Sequence, residues 1–412
     1  MAEKIVVNYK YALRPTKQQD SAMWRTLECC RKLYNEALDL WTECYQTTRI
    51  GANKNLLDNY FKDTYKNEVH SQVRQNVNAR LQRSFENFFE KRARYPKMKK
   101  RYRYTSFTYP QSGFVLINDK RLKLSGIGDV KIILHRPIPG KIKTCTIKRT
   151  RTGKWFAVFT IELTPSEFYE TPTSQNNNAV GLDIGIATFA SLSDGTQIAN
   201  PRFLLKTQTR LKREQRRLSR KKKGSRNYRK QCRKLAQLHE TVRNKRLDFH
   251  FQTAHWLVNN YGLVAVERMT PMFMLKNRKL AKHAADLAFG QFFRLLEYEA
   301  VKHGTLAGQV DPRNTSQLCS KCGQIVLKDL FVRVHRCPYC GFVCDRDINA
   351  AINIVDRIPE ELKPKYNLLR NDTAGTAGIT KPVEKCASAC EAINFASKHT
   401  SSNQEARDFS RG

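Results

Sequence analysis

Acidic residues are scarce in this chain. Only 37 Asp and Glu stand against 74 Lys and Arg in 412 residues, a formal net charge of +37. Such an excess would repel itself in a lone globular body, so a polyanionic partner is expected. Long apolar runs are missing too: no stretch approaches membrane-spanning length, and no basic helix with a clean apolar face suggests a membrane-surface anchor. The opening MAEKIVVNYK lacks an apolar signal region. A cytoplasmic location is therefore expected, where thiols stay reduced and free to bind metal. Most of the 12 cysteines also lack a partner at a telling distance. Cys29, Cys30, Cys44, Cys145, Cys232, Cys344, Cys386 and Cys390 read as scattered thiols, although Cys386-x3-Cys390 is a ligand-like spacing.

The remaining four cysteines are organised. Cys319-x2-Cys322 and Cys337-x2-Cys340 are each followed by a glycine, Gly323 and Gly341, that permits a tight turn. Four thiolates on two such knuckles fit the tetrahedral shell of one structural Zn²⁺. Disulfides or a redox pair are the alternatives, and twin knuckles at this separation favour metal over both. Cys344 follows too closely to be needed as a ligand.

Directly after the second knuckle come Asp345, Arg346 and Asp347, then an apolar helical pattern through Ala350, Ala351, Ile354 and Val355. An aspartate at a helix start is ordinarily a cap. Two further acids change that reading. Asp183 lies within AVGLDIGIATFASLSDG, apolar on both sides, and Glu267 ends the short apolar run of GLVAVERM. A single carboxylate in such a strand has no use in core packing. The order Asp183, Glu267, Asp347 is the constellation of an RNase H-like nuclease. Carboxylate oxygens are hard ligands suited to Mg²⁺, and two such ions promote in-line hydrolysis of a phosphodiester. Asp183 is the candidate to bridge both ions, with Glu267 and Asp347 completing the shells. Asp345 rivals Asp347, which is preferred because it directly precedes the helical pattern.

In chain order, IVVNYKYAL alternates like a strand and Pro15 opens a helix. Apolar stripes at Trp24, Leu27, Tyr34, Leu38, Trp41 and Tyr45, and at Val69, Val73, Val77, Leu81, Phe85 and Phe88, predict a helical bundle. Arg74, Arg80 and Arg83 on the far sides are available to phosphate. Residues 104–163 switch to short alternating runs separated by turns, which predicts a small β-barrel joined by the first strand. Its Lys141, Lys143, Lys148, Arg149 and Arg151 suit a nucleic-acid platform or a solvated strand face. Residues 166–178 read as a polar linker. The most basic stretch then predicts a helical hairpin turning at Lys221–Ser225. Arg213, Arg216, Arg217, Arg220, Lys221, Lys222, Lys223 and Arg226 are its candidate phosphate contacts, because charges of one sign repel unless phosphates intervene. His239, His250, His255 and His283 read as packed or surface residues rather than catalysts. Residues 269–289 suggest a mobile segment, 290–304 an amphipathic helix and 306–312 a strand. After Arg357 a short helix at most is expected, then a disordered tail.

Several runs carry a family resemblance: LRPTKQQ (13–19), RKLYNEAL (31–38), GLDIG (181–185), RLSRKKKGS (217–225), VERM (266–269), TSQLCSKCG (315–323) and DRDINAAINI (345–354). The chain resembles TnpB, the RNA-guided nuclease family of insertion sequences, which is similar to the type V CRISPR effectors, from its start to about Asp356. The resemblance implies an α/β fold with an RNase H-like (RuvC-type) nuclease domain over 179–356, carrying a zinc ribbon at 315–344. It also implies a wedge β-barrel of 1–14 and 103–165, with a helical recognition lobe of 15–102 inserted, and a tail of 357–412. It places the third acid at Asp347 and implies that the 269–289 segment covers the site. The implied activity is cutting DNA that pairs with a guide RNA from the element end, next to a short adjacent motif. The implied cofactors are two catalytic Mg²⁺ and one structural Zn²⁺, and a monomer bound to its RNA is the simplest assembly. The rivals are a DNA transposase acting on element ends, which shares the acidic trio, a nuclease-silent RNA-guided repressor, and a structural zinc-ribbon RNA-binding protein.

Overall fold

The computed structural model describes residues 4–169, 176–269, 274, 276–278, 280–329 and 331–371. The predicted tail beyond 371, with Cys386 and Cys390, lies outside the described residues, as does the middle of the predicted linker. The chain divides into two compact units, one through Phe168 and one from Tyr169.

The first unit opens with β1 (Ile5–Arg14) and α1 (Lys17–Thr48). The helix begins two residues after Pro15, at a capping box. The Thr16 hydroxyl accepts from the Gln19 amide, and the Gln19 side chain accepts from the Thr16 amide. After α2 (Lys54–Tyr60) comes α3 (Ser71–Phe89), whose Val73, Val77, Leu81 and Phe85 are buried. Trp41 of α1 stacks on Phe85 with ring centroids 3.6 Å apart. Most of both predicted stripes is therefore core, although Trp24 and Phe88 are only half-buried and Tyr45 stands exposed. Arg80, expected to face phosphate, instead donates to the Ser106 carbonyl at 2.9 Å and the Thr108 hydroxyl at 2.7 Å. Arg74 likewise donates to the carbonyls of Phe61, Lys62 and Thr64. Guanidinium forks satisfy several carbonyls at once, and both are spent on joints within this unit. Arg83 is exposed.

The sheet of this unit adds β2 (Ser106–Tyr109), β3 (Phe114–Asn118), β4 (Arg121–Leu124), β5 (Gly128–Ile133), β6 (Lys141–Arg149) and β7 (Trp155–Leu163), and the short α4 (Pro165–Phe168) follows. Its order is β2-β6-β7-β1-β5-β4-β3, antiparallel throughout. In a flat sheet β3 would lie about 19 Å from β7, four strand spacings away. Yet the Phe114 ring of β3 is 6.4 Å from Phe159 of β7 and 6.4 Å from Tyr109 of β2. The sheet therefore curls on itself. No ladder joins β2 to β3 among the described residues, so the expected barrel has an open seam. Lys143 pairs with Glu162 at 2.9 Å, and Arg149 lies over the Trp24 ring at 4.8 Å. These two cations serve packing within the unit.

The second unit contains β8 (Asn178–Asp183), β9 (Thr188–Leu192), β10 (Gln197–Ala199), α5 (Phe203–Ser219), α6 (Arg226–Asn260), β11 (Leu263–Glu267), α7 (Ala281–Leu287), α8 (Phe289–His303), β12 (Leu306–Val310), β13 (Val334–Arg336), β14 (Val343–Asp345), α9 (Arg346–Asp356) and β15 (Asn367–Leu368). Five strands run in the order β10-β9-β8-β11-β12. β9 is antiparallel to both its neighbours, while β11 is parallel to β8 and β12 to β11. Both faces are covered, which explains strands apolar on both sides. Val180, Leu182, Val264 and Val266 pack with α6 and α8 residues such as Leu257, Phe292 and Leu296. Ala179, Leu263 and Ala265 pack with Ile354 and Val355 of α9.

Two expectations need correction. Part of the 269–289 segment is helical, as α7, with Asp286 accepting from the Leu204 amide at 2.9 Å and Arg246 donating to the Ala285 carbonyl at 2.9 Å. A break at Ala288, with φ of 43°, separates α7 from α8. Residues 357–371 belong to the fold, since β15 pairs in parallel with the start of β8 and Tyr366 and Leu368 join the core on that side. Among the described residues, no helix is long and apolar enough to cross a membrane.

Candidate acidic site and metal centre

Strand parity brings two acids together. Ala179, Gly181 and Asp183 alternate onto the α9 face of β8, and Leu263, Ala265 and Glu267 onto the same face of β11. Leu182 is in register with Val266, so Asp183 and Glu267 end adjacent parallel strands on one face. The third acid arrives on α9, which can approach only because residue 181 is glycine. A Cβ there would lie 2.1 Å from the Ala351 carbonyl oxygen. Asp347, one turn before Ala351, is thereby held over the strand ends.

The two aspartates beside the helix start differ. Asp345 is the N-cap, its Oδ1 accepting from the amides of Asp347 at 2.8 Å and Ile348 at 3.2 Å. Asp347 lies in the first turn. Arg346 donates to its Oδ1 at 3.2 Å through both Nε and Nη2, and Arg333 lies 3.6 Å from its Oδ2. Glu267 Oε2 accepts from the Thr315 hydroxyl at 3.0 Å. Burial, then the charges of Asp347 and Glu267, push the Asp183 carboxyl up to about 8. Burial also raises Glu267, against the pull of its bond from Thr315. This crowding is what a bound cation would relieve.

The four paired cysteines converge. Cys319 and Cys340 Sγ lie 3.7 Å apart, Cys322 and Cys337 Sγ 3.5 Å apart, and all four fall within 4.8 Å of one another. Sulfurs at about 2.3 Å from one tetrahedral Zn²⁺ would be roughly 3.8 Å apart. A disulfide needs about 2.05 Å. The knuckles are built alike: the Gly323 amide donates to the Cys319 carbonyl and the Gly341 amide to the Cys337 carbonyl, with both glycines at positive φ. Burial opposes ionisation of Cys337, but the Cys340 and Tyr339 amides and neighbouring thiols bring it down to about 6. The cluster fits a zinc ribbon. Cys344 packs against it from β14.

The ribbon and the acids form one structure. Asn349 of α9 donates to the Leu318 carbonyl at 2.7 Å and accepts from the Ser320 amide at 3.0 Å. One turn on, Asn353 donates to the carbonyls of Thr315 and Leu318, each at 2.8 Å. The helix thus grips the first knuckle, and Thr315 passes that grip to Glu267. Sequence reasoning missed Thr315, Asn349 and Asn353. The available signal was two asparagines at i,i+4 within the otherwise apolar run 348–355.

The basic hairpin forms as α5 and α6, tied by a bond of 2.6 Å from Gln231 Nε2 to the buried Glu214. Arg213, Arg216, Arg217, Arg220, Lys222, Lys223 and Arg226 are exposed and Lys221 is half-buried. Arg217 and Arg213 also face Glu214, at 3.0 and 3.6 Å. Of the single histidines, His250 packs among Phe189, Phe249 and Phe292, and burial lowers it to about 3. His255 is not isolated, because Glu299 and His303 lie beside it.

Comparison with known proteins bears on these features. A family model described as "Probable transposase" matches residues 158–278, and one described as "Cas12f1-like, TNB domain" matches 289–354. A "Helix-turn-helix domain" model matches 4–49, a stretch that folds here as β1 and one continuous helix. A "Putative RNA-guided DNA endonuclease" of Streptomyces pristinaespiralis is 34% identical over 369 residues, 86% of this chain and 90% of that protein. "Putative RNA-guided DNA endonuclease InsQ" of Escherichia coli (strain K12) is 30% identical over 370 residues, 84% of this chain and 91% of that protein. Among solved structures, a Cas12f1-sgRNA-target DNA complex superposes with a TM-score of 0.53 at 15% identity, covering 82% of each chain, a likeness of fold. With these relatives aligned over most of its length, and with the acids and knuckles in one structure, the chain belongs to the TnpB family of RNA-guided DNA endonucleases.

Proposed function

We propose that this chain is an insertion-element endonuclease that cuts DNA paired to a guide RNA from the element end, next to a short adjacent motif. The observation that carries the reading is the meeting of Asp183, Glu267 and Asp347 at the ends of β8, β11 and the first turn of α9, so crowded that Asp183 is pushed up to about 8. The strand order β10-β9-β8-β11-β12, three antiparallel strands followed by two parallel ones, supports an RNase H-like, RuvC-type core over 179–356. The curled sheet and inserted helices support the reading of 1–14 and 103–165 as a wedge and 15–102 as a recognition lobe.

Asp183, Glu267 and Asp347 would hold Mg²⁺, and two bound ions supply charge stabilisation for the attacking and leaving oxygens of an in-line displacement. Thr315 orients Glu267, and Arg346 and Arg333 orient Asp347. Cys319, Cys322, Cys337 and Cys340 would hold one Zn²⁺, keeping the first knuckle where Asn349 and Asn353 bind it. The exposed cations of the α5–α6 hairpin would lie along phosphate, which positions a duplex without reading its bases. Pairing with the guide supplies the sequence choice.

The test is to express the protein with its native flanking DNA, sequence the RNA that co-purifies, and assay cleavage of DNA matching that RNA. Asp183→Ala is expected to lower cleavage at least about a thousandfold while RNA and DNA binding persist. RNA-free protein, or a variant that still cuts, would sink the reading.

A further inference from the structure

A second set of metal-type donors lies outside the acidic site and the ribbon. Glu299 and His303 are one turn apart on the same face of α8, and both are buried. His255 reaches across from α6. Its Nδ1 is 3.2 Å from Glu299 Oε2, and His303 Nε2 is 3.5 Å from the same oxygen. One donor atom from each of the three lies within 4.8 Å of the other two. Ligands at about 2.0–2.1 Å from a tetrahedral Zn²⁺ stand roughly 3.3–3.4 Å apart, between the two observed separations. A carboxylate with only 1% of its residue surface exposed is costly unless a cation or strong hydrogen bonds compensate it. Two imidazoles and a carboxylate favour a borderline ion such as Zn²⁺ over Mg²⁺. The His255 side chain is 46% exposed while those of Glu299 and His303 are 2% and 5%, so solvent meets the cluster at His255.

Strand register sets this cluster apart from the nuclease acids. His303 precedes β12 by three residues, at the end where Leu306 pairs with Leu263, whereas Glu267 pairs with Val310 at the other end. Four residues of strand, about 13 Å, separate those ends.

We propose that His255, Glu299 and His303 form a second divalent-metal site, taking Zn²⁺ with an open water position and stapling α6 to α8. The staple is independent of RNA guidance and of the nuclease reading. The competing account is a metal-free His-Glu-His hydrogen-bond network, and metal stoichiometry separates the two.

The experiment uses the full-length protein, stripped of metal and titrated with Co²⁺, followed by visible absorption and by metal analysis after Zn²⁺ reconstitution. With excess Mg²⁺ present to occupy the Asp183, Glu267 and Asp347 carboxylates, two tight equivalents of Co²⁺ per chain are expected, one with sulfur-to-cobalt charge-transfer bands and one without. His255→Ala, at a half-exposed position, should lose only the equivalent lacking those bands, and metal should then raise the melting temperature less than in the parent. Cys337→Ser should lose only the other equivalent. The proposal is overturned if the parent binds no equivalent lacking the sulfur bands, or if His255→Ala and His303→Gln both retain it. His255→Ala alone decides the matter if His303→Gln does not fold.

Discussion

Asp345 and Asp347 stand two residues apart and do different work. The Asp345 carboxylate is spent on two backbone amides, whereas among the described residues the Asp347 carboxylate meets arginine side chains and its crowded fellow acids. That crowding has a measurable sign in metal-free protein. A carboxyl whose folded pKa is raised keeps a proton that the unfolded chain has already lost, so stability falls as pH climbs from about 4 to about 8. Asp183→Asn should reduce this slope, leaving the part that the raised Glu267 contributes. In chelator at pH 8 it should melt higher than the parent by more than about 1 kcal/mol, roughly 2–4 °C per kcal/mol in a unit of this size. Scanning calorimetry across pH checks this, and an unchanged slope would place the titration elsewhere. Cys337→Ser is expected to release zinc, measured by metal analysis, and to lower cleavage with it. Losing the shared zinc would also free the Cys319–Cys322 knuckle, the one that Asn349 and Asn353 bind.

The helix α9 sits on the sheet by way of a single missing side chain. Gly181→Val would drive a Cβ into the Ala351 carbonyl, so helix and strand must part, at a cost of at least about 1–3 kcal/mol. We expect a lower urea midpoint, and cleavage falling further than stability alone explains, because Asp347 moves with the helix. Most elements were legible because their periodicity is strong. The alternating runs after residue 113 became β3 to β7, and most of the stripes on α1 and α3 became core, Tyr45 excepted. The misses are short or irregular. All four residues of β2 are buried, so it has no alternation to read, and β15 has two residues. The polar clamp from α9 to the knuckle was legible only as a pattern of asparagines, since its partners are backbone carbonyls that no side-chain sequence announces.

The chain as a whole carries +37, and most of the candidate phosphate-binding cations on the α5–α6 hairpin stand exposed. Replacing Arg216, Arg220, Lys222 and Lys223 together by Gln should weaken DNA binding at low salt. It should also flatten the plot of log K against log salt by up to about 3–4, near 0.9 for each phosphate no longer neutralised. A slope identical to that of the parent would remove the hairpin from the interface. By itself the sequence determined a polyanion-binding α/β protein, a cysteine quartet with metal spacing, and an Asp-Glu-Asp order, because charge, spacing and order are properties of the chain. Only the tertiary structure decided that Asp345 caps while Asp347 faces Asp183, that Arg74 and Arg80 are spent on carbonyls, and that His255 meets Glu299 and His303. Those outcomes depend on strand parity, on how closely a helix can approach a glycine, and on which helices pack side by side. Local sequence encodes none of these.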